Sequence, residues 1–121
     1  MFLADTSVWV DHLRRGDPHL AQALVADQVF MHPFVLGEIA CGNLPKRAST
    51  LSELELLPSA RPAEDGEVLK FLEQHRLFGK GIGWIDAHLL ASAMLTHCFL
   101  WTHDSALARA AFPLGLIPNK S

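Results

Sequence analysis

The aspartates Asp5 and Asp104 each follow a short apolar run, FLA and CFLWT, that predicts a buried strand. Hydroxyl residues and amphipathic sequence come next in both places, and Thr6 or Ser7 is expected to cap the helix after the first strand. Ligands of open α/β sheets bind in the crevice at the carboxyl ends of the strands. A helix cap is the simpler role for one such acid, but two acids at equivalent strand ends favour a shared site.

Two further acids, Glu38 and Asp86, lie on the apolar faces of predicted helices. Phe34 and Val35 precede Glu38 by four and three residues, and Leu89 follows Asp86 by three. A carboxylate is almost never fully buried without a partner, and no Arg or Lys lies within one turn of Glu38 on that face. A favourable helix dipole explains an acid in the first turn equally well, but we expect both side chains to point inward.

The four acids together predict a reaction. Carboxylates gathered in one cleft raise one another's pKa values and repel, unless divalent cations neutralise them. Ligand sets made only of oxygen suit hard cations such as Mg²⁺ or Mn²⁺, which keep several bound waters. One or two such ions can activate water and stabilise the leaving oxygen of a phosphodiester. Metal-assisted hydrolysis of a phosphate ester is therefore the predicted chemistry.

Strand and helix patterns alternate along the chain and must position these acids. This alternation predicts right-handed crossovers and an α/β fold, with a mostly parallel sheet of four or five short strands and helices on both faces. The predicted strands are 2–4, 29–31 and 98–102, with short candidates at 56–57 and 114–117. The predicted helices are 7–15, 18–26, 33–41, 45–54, 68–77, 84–96 and a short one from 105.

Length and composition predict one domain, 1–121, because 121 residues are too few for two cores. Hydrophobic residues make up 50% and charged residues 19%, which excludes a disordered chain. No apolar run reaches the ~18 residues of a membrane span, and no signal peptide is evident, so a cytoplasmic location is expected. Cys41 and Cys98 lie among apolar residues and are expected to be buried, reduced thiols.

The net charge of −3 does not by itself favour a nucleic-acid-binding protein. Acids concentrated in one metal-binding cleft would lower the net charge without repelling a substrate once cations are bound. Arg76 and Lys80 are possible phosphate contacts, although an ordinary solvated surface is the commoner role for any single cation.

The blocks ADTSVWVD, VLGEIACGNL, WIDAHLLASA and LWTHDSALA occur in the order and context of the PIN-domain nucleases. They closely resemble the VapC ribonuclease toxins of VapBC toxin–antitoxin pairs, over essentially the whole chain. The resemblance implies a PIN-like three-layer fold in a single PIN domain. It also implies an endoribonuclease dependent on Mg²⁺ or Mn²⁺, with one or two ions, commonly a homodimer and inhibited by a cognate VapB-type antitoxin.

The same resemblance implies roles for individual residues. Thr6 or Ser7 would help to order the site by hydrogen bonding, and Trp9 matches but is interpreted as packing. The Gly-rich segment 79–83 is expected to be a mobile segment near the substrate. The acids implied to be catalytic and metal-binding are Asp5, Glu38, Asp86 and Asp104.

Two other functions fit parts of the pattern. One is a metal-dependent phosphatase that acts on small phosphate esters in a compact pocket. The other is a non-catalytic, receiver-like or interaction α/β domain that holds Mg²⁺ without turnover, although His103 and Asp104 stand where a receiver domain usually has a lysine. A metal mechanism needs no protein base. We therefore leave five histidines out of the catalytic set: His12, His32, His88, His97 and His103.

Overall fold

A three-stranded parallel sheet lies at the centre of the protein in a computed structural model, which describes residues 1–118. The strands are β1 (Phe2–Ala4), β2 (Val29–Phe30) and β3 (Phe99–Trp101), in the order β2-β1-β3. Leu3 of β1 is in register with Phe30 on one side and with Leu100 on the other. The first strand of the chain is therefore the central one, and its carboxyl end lies beside that of β3.

Seven α-helices surround the sheet in the described residues. Proline begins α2 and α3, where its missing N–H leaves no hydrogen bond unmade. Four helices have an N-cap side chain that accepts a hydrogen bond from the first turn: Asp5, Asp17, His32 and Asp104. The helices are α1 (Thr6–Arg15), α2 (Pro18–Val25), α3 (Pro33–Ala40), α4 (Arg47–Glu55), α5 (Asp65–Gln74), α6 (Trp84–Thr96) and α7 (Ser105–Ala111).

Helices cover both faces of the sheet. Leu3 and Ala4 are adjacent in the central strand, so their side chains point to opposite faces, and both are completely buried. Helix α6 is buried over the seven consecutive residues 87–93, which makes it a core helix rather than a surface one. The predicted α/β three-layer fold is confirmed.

The sheet has three strands in the described part of the chain, against a prediction of four or five. The candidate strand at 56–57 does not form, and one parallel bridge joins Met31 to Ser59 instead. The candidate at 114–117 contributes one backbone hydrogen bond, in which the Leu100 N–H donates to the Leu116 carbonyl at 2.8 Å. Both runs are too short for their apolar pattern to define a strand.

Smaller expectations have mixed outcomes. Helix α4 begins at Arg47 rather than at residue 45, because Lys46 before it has a left-handed backbone with φ of 50°. Cys98 is buried as expected, but Cys41 is exposed just past the end of α3. No helix in residues 1–118 is long and apolar enough to cross a membrane. The predicted domain ends at residue 121, outside the described residues.

Candidate active site

Asp5 lies at the end of β1 and is almost completely buried, with 5% of its surface exposed. Its Oδ1 atom accepts hydrogen bonds from the Val8 N–H at 3.2 Å and from the Ser7 hydroxyl at 2.5 Å. Its Oδ2 atom accepts a hydrogen bond from the Thr102 hydroxyl. The carboxylate is thus held at both oxygens, and Asp5, rather than the expected Thr6 or Ser7, is the N-cap of α1.

Asp104 repeats this arrangement at the end of β3. It is the N-cap of α7, where its Oδ1 accepts from the Leu107 N–H at 3.0 Å. Its own N–H donates to Thr102 Oγ1 at 3.0 Å, so that Thr102 links the two strand-end acids. The side chain is exposed, unlike that of Asp5. Asp104 therefore has both predicted features. It caps α7, and it lies at the edge of the sheet where β1 and β3 end.

Glu38 reaches the same region from α3. The Thr6 hydroxyl donates to Glu38 Oε1 at 2.6 Å, which ties the start of α1 to α3. Glu38 is exposed, so the expectation that it points inward is wrong. Val35 and Ile39 are the residues of α3 that face the core, and Glu38 projects beside that buried stripe rather than within it.

Asp86 lies half-buried in the first turn of α6, as expected for an acid on an inward face. Its Oδ2 accepts a hydrogen bond from the Gly83 N–H at 3.1 Å. Burial raises the pKa of the Asp86 carboxyl, and the negative charges of Asp104, Asp5 and Glu38 raise it further. The charges of these three carboxylates therefore reach Asp86, which places the four acids in one region at the carboxyl end of the sheet; we call this region the acid cleft.

A second layer of polar groups supports the strand ends. Ser7 Oγ, which donates to Asp5, accepts from the His103 N–H at 3.0 Å. His103 Nδ1 lies 2.6 Å from Asp11 Oδ2, and this contact lowers the pKa of the Asp11 carboxyl. Sequence reasoning missed Thr102 and Asp11, and it left His103 out of the catalytic set. A hydroxyl residue at the end of the second strand was an available signal for Thr102, but nothing in the sequence marks Asp11.

Other histidines have structural partners away from the acids. His12 Nδ1 accepts from the Asp17 N–H at 3.0 Å. His32 caps α3 by accepting from the Phe34 N–H at 3.0 Å, and burial lowers its pKa to about 4. His88 is buried with Nε2 3.0 Å from Asp65 Oδ1. These contacts give His12, His32 and His88 structural roles, in keeping with their exclusion from the predicted catalytic set.

The cleft fits a divalent cation by the chemistry of its donors. All four side chains offer carboxylate oxygens, the ligands preferred by Mg²⁺ and Mn²⁺. A cation would relieve the repulsion that, in addition to burial, raises the pKa of Asp86. Within residues 1–118, no three acidic, histidine or cysteine side chains converge closely enough to enclose an ion. Mg²⁺ does not require an enclosing set of protein ligands, because it retains several waters and can bind through one or two carboxylates.

Comparison with known proteins gives one family. A family model of the PIN domain matches residues 2–113, a range that contains all four acids. The chain is also similar to the protein named Ribonuclease VapC32 in two strains of Mycobacterium tuberculosis. In each case 38% of 117 aligned residues are identical, and the alignment covers 96% of this chain and 94% of the relative.

Proposed function

Because this chain belongs to the PIN-domain family, and within it to the VapC ribonucleases, we propose that it is an endoribonuclease toxin that hydrolyses phosphodiester bonds of RNA. Family membership makes it an enzyme, a hydrolase that acts on RNA. The observation that most directly supports the site is the placement of four carboxylates in one region, where burial and then the charges of the other three raise the pKa of Asp86. The catalytic, metal-binding residues of this proposal are Asp5, Glu38, Asp86 and Asp104.

We propose Mg²⁺ or Mn²⁺ as the cofactor, with one or two ions held by the same four carboxylates. When bound, such an ion acts as a Lewis acid on the phosphodiester and lowers the pKa of water, so that no protein base is required. The family and the oxygen-only donor set support this choice.

Thr6, Ser7 and Thr102 are the proposed positioning residues. Asp5 cannot turn away from the cleft without breaking hydrogen bonds to Ser7, Thr102 and the Val8 N–H. Thr6 holds one oxygen of Glu38 and leaves the other oxygen available to a ligand. A site whose ligands are already oriented loses less entropy when it binds its substrate.

The reaction adds one water across the bond between phosphorus and the 3′ oxygen of RNA. The products therefore carry a 5′-phosphate and a 3′-hydroxyl, and the 2′-hydroxyl takes no part. The decisive experiment compares the purified chain with its Asp5→Asn variant on total cellular RNA, with Mg²⁺, Mn²⁺ or chelator, and maps the fragment ends. We expect discrete, metal-dependent cuts that the variant makes roughly 10²–10³-fold more slowly.

Three other outcomes contradict parts of this proposal. Fragments that end in 2′,3′-cyclic phosphate would show that the 2′-hydroxyl is the nucleophile. Intact RNA with every metal, from folded protein that is free of bound partner, would favour a non-catalytic metal-binding domain. Turnover of small phosphate esters with RNA left intact would favour a phosphatase.

We further infer a single PIN domain that acts in the cytoplasm, where its RNA substrate is found. The VapC relatives support a VapB-type antitoxin as inhibitor, and the family resemblance supports a homodimer. Light scattering of the purified chain, alone and with such an antitoxin, measures both associations.

A further inference from the structure

A cavity of about 320 Å³ lies between the loop that precedes α6 and helix α7. We call it the loop–α7 cavity. It has two cationic side chains, one aromatic ring and no acid in its lining. Its walls are formed by Phe78, Gly79, Lys80, Ala106, Arg109 and Ala110.

The two cations of this cavity lack an anionic partner within residues 1–118. Ion pairs in that range involve Arg15, His88 and His103, and neither Lys80 nor Arg109. Arg109 lies in the last turn of α7, where the helix dipole favours a positive charge. That explanation does not extend to Lys80, which is in the loop. Two like charges around one cavity are stabilised when an anion binds between them.

Phe78 adds an apolar surface beside these charges. Its side chain is 60% exposed, although phenylalanine usually contributes to a core. Proteins that bind single-stranded nucleic acid combine cations that follow the backbone with aromatic rings on which bases stack. The loop–α7 cavity presents both features within one nucleotide-sized space.

Each wall of the cavity leads directly to an acid of the proposed active site. Asp104 caps α7, and Arg109 lies four residues beyond Ser105, or about 6 Å along the helix axis. The opposite wall continues to Gly83, whose N–H donates to Asp86. The walls approach each other closely, since a Cβ atom at Gly81 would lie 3.7 Å from Ala106 Cβ. A strand bound in the cavity would therefore continue into the acid cleft.

We propose that the loop–α7 cavity binds the RNA strand next to the phosphodiester that is cut. Lys80 and Arg109 hold a backbone phosphate, and Phe78 stacks on the adjoining base. This inference rests on the proposed ribonuclease function. The cavity supplies positive charge that attracts the RNA backbone, which the carboxylates of the acid cleft cannot do.

The test measures binding of a fluorescent single-stranded RNA oligonucleotide in the Asp5→Asn background with Mg²⁺. The pair Lys80→Ala and Arg109→Ala should weaken binding and reduce the slope of log K against log salt by about 0.7, the value for one lost phosphate contact on a single strand. The matched control is Arg61→Ala with Lys70→Ala, which removes the same charge from exposed positions outside the cavity. We expect this control to keep the slope.

Stacking is tested separately at Phe78. Phe78→Ala should weaken binding roughly 5- to 150-fold, whereas Phe78→Tyr, which keeps a ring, should retain the affinity. Cavity variants that bind RNA with unchanged affinity and slope would overturn this inference while RNA cleavage by the unmodified chain still stood. Absence of cleavage by the unmodified chain, in contrast, would overturn the ribonuclease proposal itself.

Discussion

Helices α3 and α6 each contribute to two different clusters of side chains that contain ionisable groups. The acid cleft takes Glu38 from α3 and Asp86 from α6, together with the acids that follow β1 and β3. The imidazole cluster consists of His32, Phe34, Asp65, Trp84 and His88, and it lies around the N-terminal ends of the same two helices. Its rings are in edge contact, since the centroids of Phe34 and Trp84 each lie 4.7 Å from that of His88.

The two clusters differ in how they accommodate charge. Burial lowers the pKa of His32, which favours the neutral ring. His32 also accepts a hydrogen bond from the Phe34 N–H, and His88 has Asp65 as a carboxylate partner. In the acid cleft, Glu38 and Asp104 remain exposed and the carboxylates repel one another. Repulsion that the fold does not resolve indicates a ligand. Buried rings that pack edge to face on one another indicate a structural role instead. Variants of the cleft should therefore change activity, and variants of the imidazole cluster should change stability.

The largest expected effect is the loss of RNA cleavage without loss of stability when Glu38 is changed. Glu38→Gln removes one charge from the cleft and should lower the rate of RNA cleavage by roughly 10²–10³-fold, the usual effect of removing one charge-stabilising group. Its free energy of unfolding should change by less than about 0.5 kcal/mol, because the side chain is exposed. Cleavage assays and urea denaturation measure the two effects. Glu73→Gln, on the exposed side of α5, is the control, and equal activity of both variants would contradict the division between the clusters.

The pH dependence of stability should distinguish the imidazole cluster. Burial lowers the pKa of His32 from its ordinary value of 6.5 to about 4 in the folded chain. As the pH falls, His32 therefore binds a proton in the unfolded chain before it does so in the folded chain. Stability is therefore lost between pH 6.5 and pH 4, by about 3 kcal/mol. His32→Asn keeps a side chain that can cap α3 but does not titrate, and urea denaturation at several pH values should give a flatter profile.

The matched control for this profile is His19→Asn, at an exposed histidine of α2. It should keep the slope of the unmodified chain, because it replaces a side chain that is exposed to solvent in the folded protein. Parallel profiles for His32→Asn and the unmodified chain would show that His32 is protonated equally in both states.

The smallest expected effect is stabilisation of the cleft by metal. Mg²⁺ at ten times its dissociation constant should increase the free energy of unfolding by about 1.4 kcal/mol, because only the folded chain gathers the acids. Thermal unfolding measures this gain without reference to activity. Asp86→Asn should lose most of it, and Asp65→Asn, the same change in the imidazole cluster, should keep it. A full gain in Asp86→Asn would exclude this carboxylate from the metal site.

The meeting of the strand-end acids is the part of the site that sequence predicts best. Parallel strands place their carboxyl ends at one edge, so that two acids after apolar runs are expected to be neighbours there. The half-buried position of Asp86 also follows from its apolar neighbours along α6. Their assignment as metal ligands stays a prediction until the acids are tested.

Other features depend on contacts that no local pattern contains. Glu38 has the spacing of a core-facing residue but lies beside the buried stripe, because helical periodicity does not define the edge of a stripe to within one residue. Thr102 binds Asp5 across 97 residues of chain, and Asp11 meets His103 across 92. The sequence also does not indicate which strand is central, because strand order depends on pairing between strands rather than on the composition of each strand.

The strand order β2-β1-β3 has a consequence for folding of the chain during its synthesis on the ribosome. The central strand is translated before both of its neighbours, and six helices are translated between β1 and β3. A nascent chain that stops before residue 99 carries three of the four acids and lacks the strand that holds Thr102 and Asp104 beside Asp5. If the four acids form the active site as proposed, the site is complete only after β3 has been translated and has paired with β1, so that translation delays the contact of surrounding RNA with a complete site.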